Sequence, residues 1–319
     1  MAPLSKHLDG NTMSHYLAIL AGVIFAGLGG ELFVRGLLGI ARRAGISAGI
    51  IGSTLAAFAT SSPELSVAIS AALAGEPEIS LGDALGSNIN NIALILGVTL
   101  LISGIYAPRD SVKRDFPVAV ATPFVVGLLS FDGTISRIDG LVLLGIFLTW
   151  LVATAREIRR QKGAAAAEAP LTKKGWAAFS LCLFGLALLI AAGQFIVMGA
   201  KGIATDLGID EFIIGSTVVA LGTSMPELAT AIISKIKQHE EVGLGTVLGS
   251  NIFNSFFIVP VAAMITPISV ARDEVALALL FGLLAVLFIY PAQMGLIRRR
   301  RGILLLLLYA FYVFSMSLK

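Results

Sequence analysis

Apolar runs and short polar connectors alternate along the whole chain. Ten runs stand out, at residues 16–39, 48–74, 80–105, 116–131, 138–157, 176–200, 212–234, 243–266, 274–294 and 302–318. A helix needs about 20 apolar residues to cross the hydrocarbon core of a bilayer. The pattern therefore predicts an all-α, polytopic membrane protein with ten transmembrane helices. Several runs are short or interrupted by Gly and Pro. Residues 1–13 are polar and lack the charged-then-apolar build of a signal peptide, so a polar tail is expected there. The longest hydrophilic connector, 160–175, is too short to form a domain.

Charge gives the runs a direction. Connectors after odd-numbered helices carry 17 of the 23 Lys and Arg residues, those on the other side carry 5, and Arg35 lies within the first run. Cytoplasmic loops carry the excess of positive charge. The odd connectors are thus expected in the cytoplasm and both termini outside the cell membrane. Arg298 to Arg301 read as part of this topology signal.

Composition agrees. The chain of 319 residues is 56% hydrophobic and 13% charged, with a mean hydropathy of +0.90. A soluble domain is nearer one quarter charged. The net charge of +3 does not point to nucleic acid, because the basic residues form short clusters between apolar runs. The single cysteine, Cys182, excludes a disulfide framework and a CxxC metal site. His7, His15 and His239 are too scattered to suggest a histidine-rich zinc site.

The chain repeats itself. Residues 51–65 read IGSTLAAFATSSPEL and residues 214–228 read IGSTVVALGTSMPEL, ten of fifteen identical at an offset of 163. The same offset sets GDALGSNINN (82–91) against GTVLGSNIFN (245–254), and Glu31 against Gln194. Two five-helix repeats follow, 14–159 and 176–319, joined by the 160–175 linker. Five is odd, so the second repeat enters the membrane from the opposite face. Inverted repeats of this kind place a substrate site near the midplane between the halves. The matched residues are polar, small or helix-breaking, which a merely lipid-facing duplication does not require.

Glu64 and Glu227 fall near the middle of helices 2 and 7. A carboxylate at the bilayer centre costs on the order of 2.5–3.5 kcal/mol. The symmetry predicts that the two meet, and two close carboxylates favour a cation or a proton. Each follows a hydroxyl-rich turn with a proline: Thr60-Ser61-Ser62-Pro63 and Thr223-Ser224-Met225-Pro226. Proline lacks an amide hydrogen and clashes with the carbonyl four residues back. Pro63 is expected to free the carbonyl of Ala59 and loosen those of Ala57 and Thr60; Pro226 acts likewise near Gly222, Ala220 and Thr223. Ser87 and Asn91 share a helix face, as do Ser250 and Asn254. Gly86 and Gly249 are expected to allow close helix approach. These segments offer only oxygen ligands, which suit hard cations such as Ca²⁺, Mg²⁺ or Na⁺. Flexible carbonyls and bidentate Glu favour Ca²⁺ over Mg²⁺.

Residues 31–98 and 194–261, with the ten-helix plan around them, resemble the Na⁺/Ca²⁺ exchanger family of the cation/Ca²⁺ antiporter superfamily, in its prokaryotic form without a regulatory domain. The resemblance rests on G-T-S-x-P-E and G-S-N-x-x-N on paired repeats; the first copy departs at Ala59. It implies a Ca²⁺ site made by the carboxylates of Glu64 and Glu227 and the carbonyls of Thr60 and Thr223. It implies Na⁺ sites at Ala57, Ser61, Ser87, Ala220, Ser224 and Ser250, with Asn91 and Asn254 completing the centre. The implied activity is electrogenic exchange of Na⁺ for Ca²⁺ by alternating access. Asn254 stands where the K⁺-dependent branch resembles relatives with Asp, so K⁺ is not expected to be needed. No resident cofactor, catalytic residue or obligate protein partner is expected; the partners are Na⁺, Ca²⁺ and membrane lipid. No GxxxxGK[ST] loop is present to bind ATP. A proton-coupled divalent cation exchanger using the same glutamates is the alternative. An intramembrane serine hydrolase lacks a base, because no histidine lies inside an apolar run.

Overall fold

The computed structural model describes residues 10–165, 175–206, 220–270, 272–291 and 295–317. Among the described residues, ten helical passes follow in the predicted order. They are α1 (Gly10–Ala44), α2 (Ala48–Thr60 and Ser62–Ala74), α3 (Pro77–Ile102), α4 (Arg109–Leu129), α5 (Arg137–Ala165), α6 (Gly175–Asp206), α7 (Ala220–Thr223 and Met225–Ile236), α8 (Glu240–Ile265), α9 (Arg272–Ile289) and α10 (Arg300–Ser317). Five of them, α1, α3, α5, α6 and α8, are individually long and apolar enough to span a bilayer. The first nine residues of the tail, residues 166–174 of the linker and residues 212–219 of the seventh run lie outside the described residues.

Some boundaries move. The fourth helix begins at Arg109, seven residues before the apolar run, because its polar first turns are internally satisfied. There the carboxylate of Asp115 is buried and takes bonds from Arg114 Nε (2.7 Å), Ser111 Oγ (3.0 Å) and Trp150 Nε1 (3.2 Å). Helix α5 continues to Ala165, so the first residues read as linker are helical; alanine is the strongest helix former. Helix α1 likewise starts at Gly10, inside the expected tail.

Among the described residues, four two-residue strands report the topology. After α3 comes β1 (Ile105–Tyr106), after α4 comes β2 (Thr134–Ile135), after α8 comes β3 (Ile268–Ser269) and after α9 comes β4 (Leu296–Ile297). β1 pairs antiparallel with β4, and β2 with β3. Strands that pair must lie on the same side of the bundle. With ten crossings, the connectors after α3 and α9 share one face and those after α4 and α8 share the other, as the pairings require. The 163 offset carries β1 onto β3 and sets Thr134 of β2 on Ile297, the last residue of β4, so each ribbon maps onto the other within a residue. The halves are stitched together once at each face.

Helices α3 and α8 form the centre; 72% and 78% of their most apolar stretches are buried, against 33% and 28% for α1 and α6. Those two long helices pack against each other and against α7. Glycines bring their backbones together: a Cβ on Gly29 would stand 2.9 Å from the Gly185 carbonyl. Their outer faces expose Leu17, Leu20, Val23, Phe179, Leu183 and Phe184, an apolar surface suited to lipid. Between α1 and α7, Glu31 bridges Lys237 (2.8 Å) and Arg35 (2.5 Å).

Candidate cation site

The two helices that carry the Thr-Ser-x-Pro-Glu sequence, α2 and α7, break at the same place. Ser61 (φ −85°, ψ 9°) ends the first half of α2, and Ser224 (φ −85°, ψ 8°) stands at the same break in α7. Each proline then occupies the first turn of the second half, where its missing N–H is harmless. Glu64 and Glu227 follow in that turn, near the positive end of the new helix dipole. This local chemistry carries the carboxylates into the centre of the bundle, where each is only 1% exposed.

The freed carbonyls are partly recaptured. The Ala59 carbonyl takes the Ser62 hydroxyl at 2.7 Å. The Ala57 carbonyl keeps the Ser61 amide at 2.9 Å and the Thr60 hydroxyl at 3.4 Å. Ser62, part of the hydroxyl-rich turn, thus closes the carbonyl that Pro63 frees; the second repeat has Met225 there and brings no hydroxyl to Gly222.

Helices α3 and α8 supply the other wall. Each widens into a π-turn just beyond its G-S-N motif, Asn90–Leu96 in α3 and Asn254–Ile258 in α8; such bulges re-aim side chains and gather at functional sites. A third lies at Gly52–Ala56 in α2, where Arg114 Nη2 reaches Ser53 Oγ at 3.0 Å. Arg114, legible in the sequence only as a topology charge, thus braces the segment that leads to the site. Gly249 seats α8 on α2: a Cβ there would lie 2.7 Å from the Ala57 Cβ and press on the Ser53 carbonyl. Gly86 does not repeat this, meeting no described atom within 4 Å. Its symmetry partners would be Ser216 and Ala220, of which the first lies outside the described residues.

The structure brings the predicted side chains together. Thr60, Ser61, Glu64, Ser87, Asn91, Ser224, Glu227, Ser250 and Asn254 are all buried, as is Ala57. Thr223 is half-buried, and Ala220 opens the described part of α7. Ser61 Oγ and Ser250 Oγ donate to Glu227 Oε1 at 3.4 and 3.2 Å. Three further residues clip α3 to α8: Asn88 and Asn251, both inside the G-S-N-x-x-N motif, and Ser255, which follows it. Asn88 Nδ2 donates to Ser255 Oγ (2.8 Å), while Asn251 Nδ2 donates to the Asn88 carbonyl (3.0 Å). Asn254 Nδ2 donates to Asn88 Oδ1 and Asn91 Nδ2 to Asn251 Oδ1, both at 3.1 Å. Asn88 and Asn251 sit at the same 163 offset, which was the available signal.

These clips spend the amide nitrogens and leave oxygens over. Among the described residues, seven buried side-chain oxygens have no hydrogen-bond partner. Six are Glu64 Oε2, Glu227 Oε2, Ser87 Oγ, Ser224 Oγ, Asn91 Oδ1 and Asn254 Oδ1; the seventh is Asp83 Oδ2. A buried polar atom without a partner costs about 1–3 kcal/mol, so six in one place call for a ligand that accepts lone pairs. A hard cation does so. No group of three or more His, Cys, Asp or Glu is found among the described residues, so neutral oxygens must make up most of the coordination. A cavity of about 340 Å³ runs along α6 past Gln194 and Met198 to Pro63, Thr223 and Pro226, at the two helix breaks.

Comparison with known proteins bears on the family. The sequence model of the sodium/calcium exchanger protein family matches residues 14–155 and 177–318. The putative antiporter CaxA of Alkalimonas amylolytica is 33% identical over 305 residues, covering 92% of this chain and 96% of that protein. The sodium/calcium exchanger MaX1 of Methanosarcina acetivorans is 27% identical over 343 residues, covering 94% and 97%. The solved structure of the sodium-calcium exchanger NCX_Mj soaked with Na⁺ and Ca²⁺ superposes with a TM-score of 0.80 at 32% identity, covering 94% of this chain and 98% of that one. With both repeats matched and the fold shared from end to end, this multi-pass membrane chain belongs to the sodium/calcium exchanger protein family.

Proposed function

We propose that the chain is a secondary antiporter that exchanges Na⁺ for Ca²⁺ by alternating access. The observation that carries this reading is the set of six partnerless oxygens, drawn equally from the two repeats and centred on Glu64 and Glu227. We assign Ca²⁺ to the two carboxylates and the Thr60 and Thr223 carbonyls. Na⁺ takes the flanking oxygens of Ala57, Ser61, Ser87, Ala220, Ser224 and Ser250, with Asn91 and Asn254 between. Two fixed charges neutralise one Ca²⁺. Because Na⁺ sites outnumber those charges, the Na⁺-loaded and Ca²⁺-loaded carriers differ in net charge, and exchange is electrogenic. With Asn at both 91 and 254, the centre calls for no third cation, so K⁺ is not required.

The two halves, 14–159 and 176–319, joined through 160–175, supply the two access states. Ser61 and Ser250 hold Glu227, while their symmetry counterparts Ser224 and Ser87 leave their hydroxyl oxygens without partners beside Glu64. Exchanging the roles of the halves reverses that pattern, so the hydroxyl set has two equivalent arrangements, as a bistable carrier needs. The cavity along α6 then serves the face on which α6 ends, the extracellular side if both termini lie outside. The test is ⁴⁵Ca²⁺ uptake into Na⁺-loaded proteoliposomes. Uptake is expected only with an outward Na⁺ gradient; uptake that ignores Na⁺ and follows a pH gradient would move the assignment to a proton-coupled exchanger.

A further inference from the structure

Of the seven buried oxygens without partners, one belongs to no residue assigned above. Asp83 Oδ2 is buried and without a partner. Asp83 stands four residues before Ser87 and eight before Asn91, so the three share one face of α3. Ser87 lies about 6 Å deeper along the axis. The Ser80 hydroxyl, one turn before Asp83, donates to the Ala68 carbonyl of α2 at 2.9 Å. On these oppositely running neighbours Asp83 therefore lies beside the turn that carries Glu64, which is 1% exposed with Oε2 unpartnered. The 163 offset pairs Asp83 with Thr246, whose hydroxyl is satisfied by the Val242 carbonyl at 2.9 Å. The carboxylate is therefore a feature of one half only, on the side of the membrane where α3 begins.

We propose that Asp83 is a further cation ligand. With Glu64 and Ser87 it forms an outlying position that takes a hard cation, Na⁺ or Ca²⁺, between the membrane face and the central site. Three aligned oxygen groups, each with an oxygen to spare, give the ion a step inward that never leaves it without a carboxylate. The opposite half offers only the engaged hydroxyl of Thr246, so ions arriving from the other face meet no such position. This proposal rests on the exchange reading of the central site.

The test uses the full-length protein in right-side-out and inverted membrane vesicles, with ⁴⁵Ca²⁺ flux measured against Ca²⁺ concentration on each face. Removing one carboxylate from a divalent ion's path at this range weakens capture by about fivefold to tenfold. D83N is expected to raise the half-saturating Ca²⁺ by that factor on the face where α3 begins, more than it lowers maximal flux, and to leave the other face within twofold. D83E is expected to restore the wild-type value. As a second readout, ⁴⁵Ca²⁺ equilibrium dialysis should detect weak residual binding to purified E227Q that is lost in the E227Q/D83N double variant. An equal change on both faces, no change on either, or residual binding indifferent to D83N would overturn the role of Asp83. Continued Na⁺-dependent Ca²⁺ flux in E227Q would instead overturn the central site, so the two failures are distinguishable.

Discussion

Replacing Glu227 by Gln changes one atom and one charge at the centre of the molecule. Oε1 receives two hydroxyls and Oε2 none, so Oε2 is the oxygen that faces a cation. A Ca²⁺–oxygen contact is about 2.3–2.6 Å long. At an effective dielectric of about 20, the attraction between a divalent ion and one carboxylate at that distance is on the order of 14 kcal/mol before desolvation. The desolvation of both charges cancels most of it; breaking one partner of a buried ionic pair costs about 3–5 kcal/mol net. That corresponds to a loss of Ca²⁺ affinity of about 10² to 10³·⁵. The fold should not suffer, because a neutral amide is cheaper to bury than a carboxylate and keeps an acceptor for Ser61 and Ser250. The assay is thermal melting of purified protein with and without Ca²⁺. Wild type at a hundred times its Kd should gain roughly 2.7 kcal/mol from binding. E227Q should melt no lower than wild type without Ca²⁺ and lose the Ca²⁺-induced shift. An E227Q protein that keeps the shift at the same Ca²⁺ concentration would refute the placement of Glu227 in the site.

Other consequences can be checked separately. Clamping the membrane potential with valinomycin and K⁺ should shift the Ca²⁺ distribution, since each unmatched charge is worth roughly 2.3 kcal/mol per 100 mV; a flux blind to voltage would contradict electrogenic exchange. Replacing K⁺ with choline at fixed potential should leave initial Ca²⁺ flux largely intact, while Asn254→Asp should slow exchange by adding a carboxylate; loss of most flux without K⁺ would show that position 254 has been misread. Gly249→Ala forces a methyl into the seam between α2 and α8, against the Ser53 carbonyl and the Ala57 Cβ, and should cost about 1–3 kcal/mol, read as a lower melting temperature; an unchanged melting temperature would contradict that seam.

The number of helices, the inverted duplication and the oxygen-bearing residues of the candidate site were legible along the chain, because each depends on signals local in sequence. Hydropathy marks a span wherever it lies, proline and hydroxyl residues break a helix wherever they occur, and an offset of 163 needs only the letters to be seen. Oxygen-only ligand chemistry is likewise a property of residue type. What required the folded bundle was the pairing of groups far apart in the chain. No local signal says that Asn88 and Asn251 spend the amide nitrogens of their neighbours and leave Asn91 Oδ1 and Asn254 Oδ1 over. Nor could one show that Gly249 seats α8 on the Ser53 carbonyl, or that Arg114 braces α2 through Ser53. The pairing of β1 with β4 and of β2 with β3, which makes the crossing count physical, exists only in three dimensions. The asymmetry around the two glutamates was hidden for the same reason. The matched segments carry serine and glutamate at the same site positions, so only their packing decides that Ser61 and Ser250 hold Glu227 while Ser87 and Ser224 are left without partners.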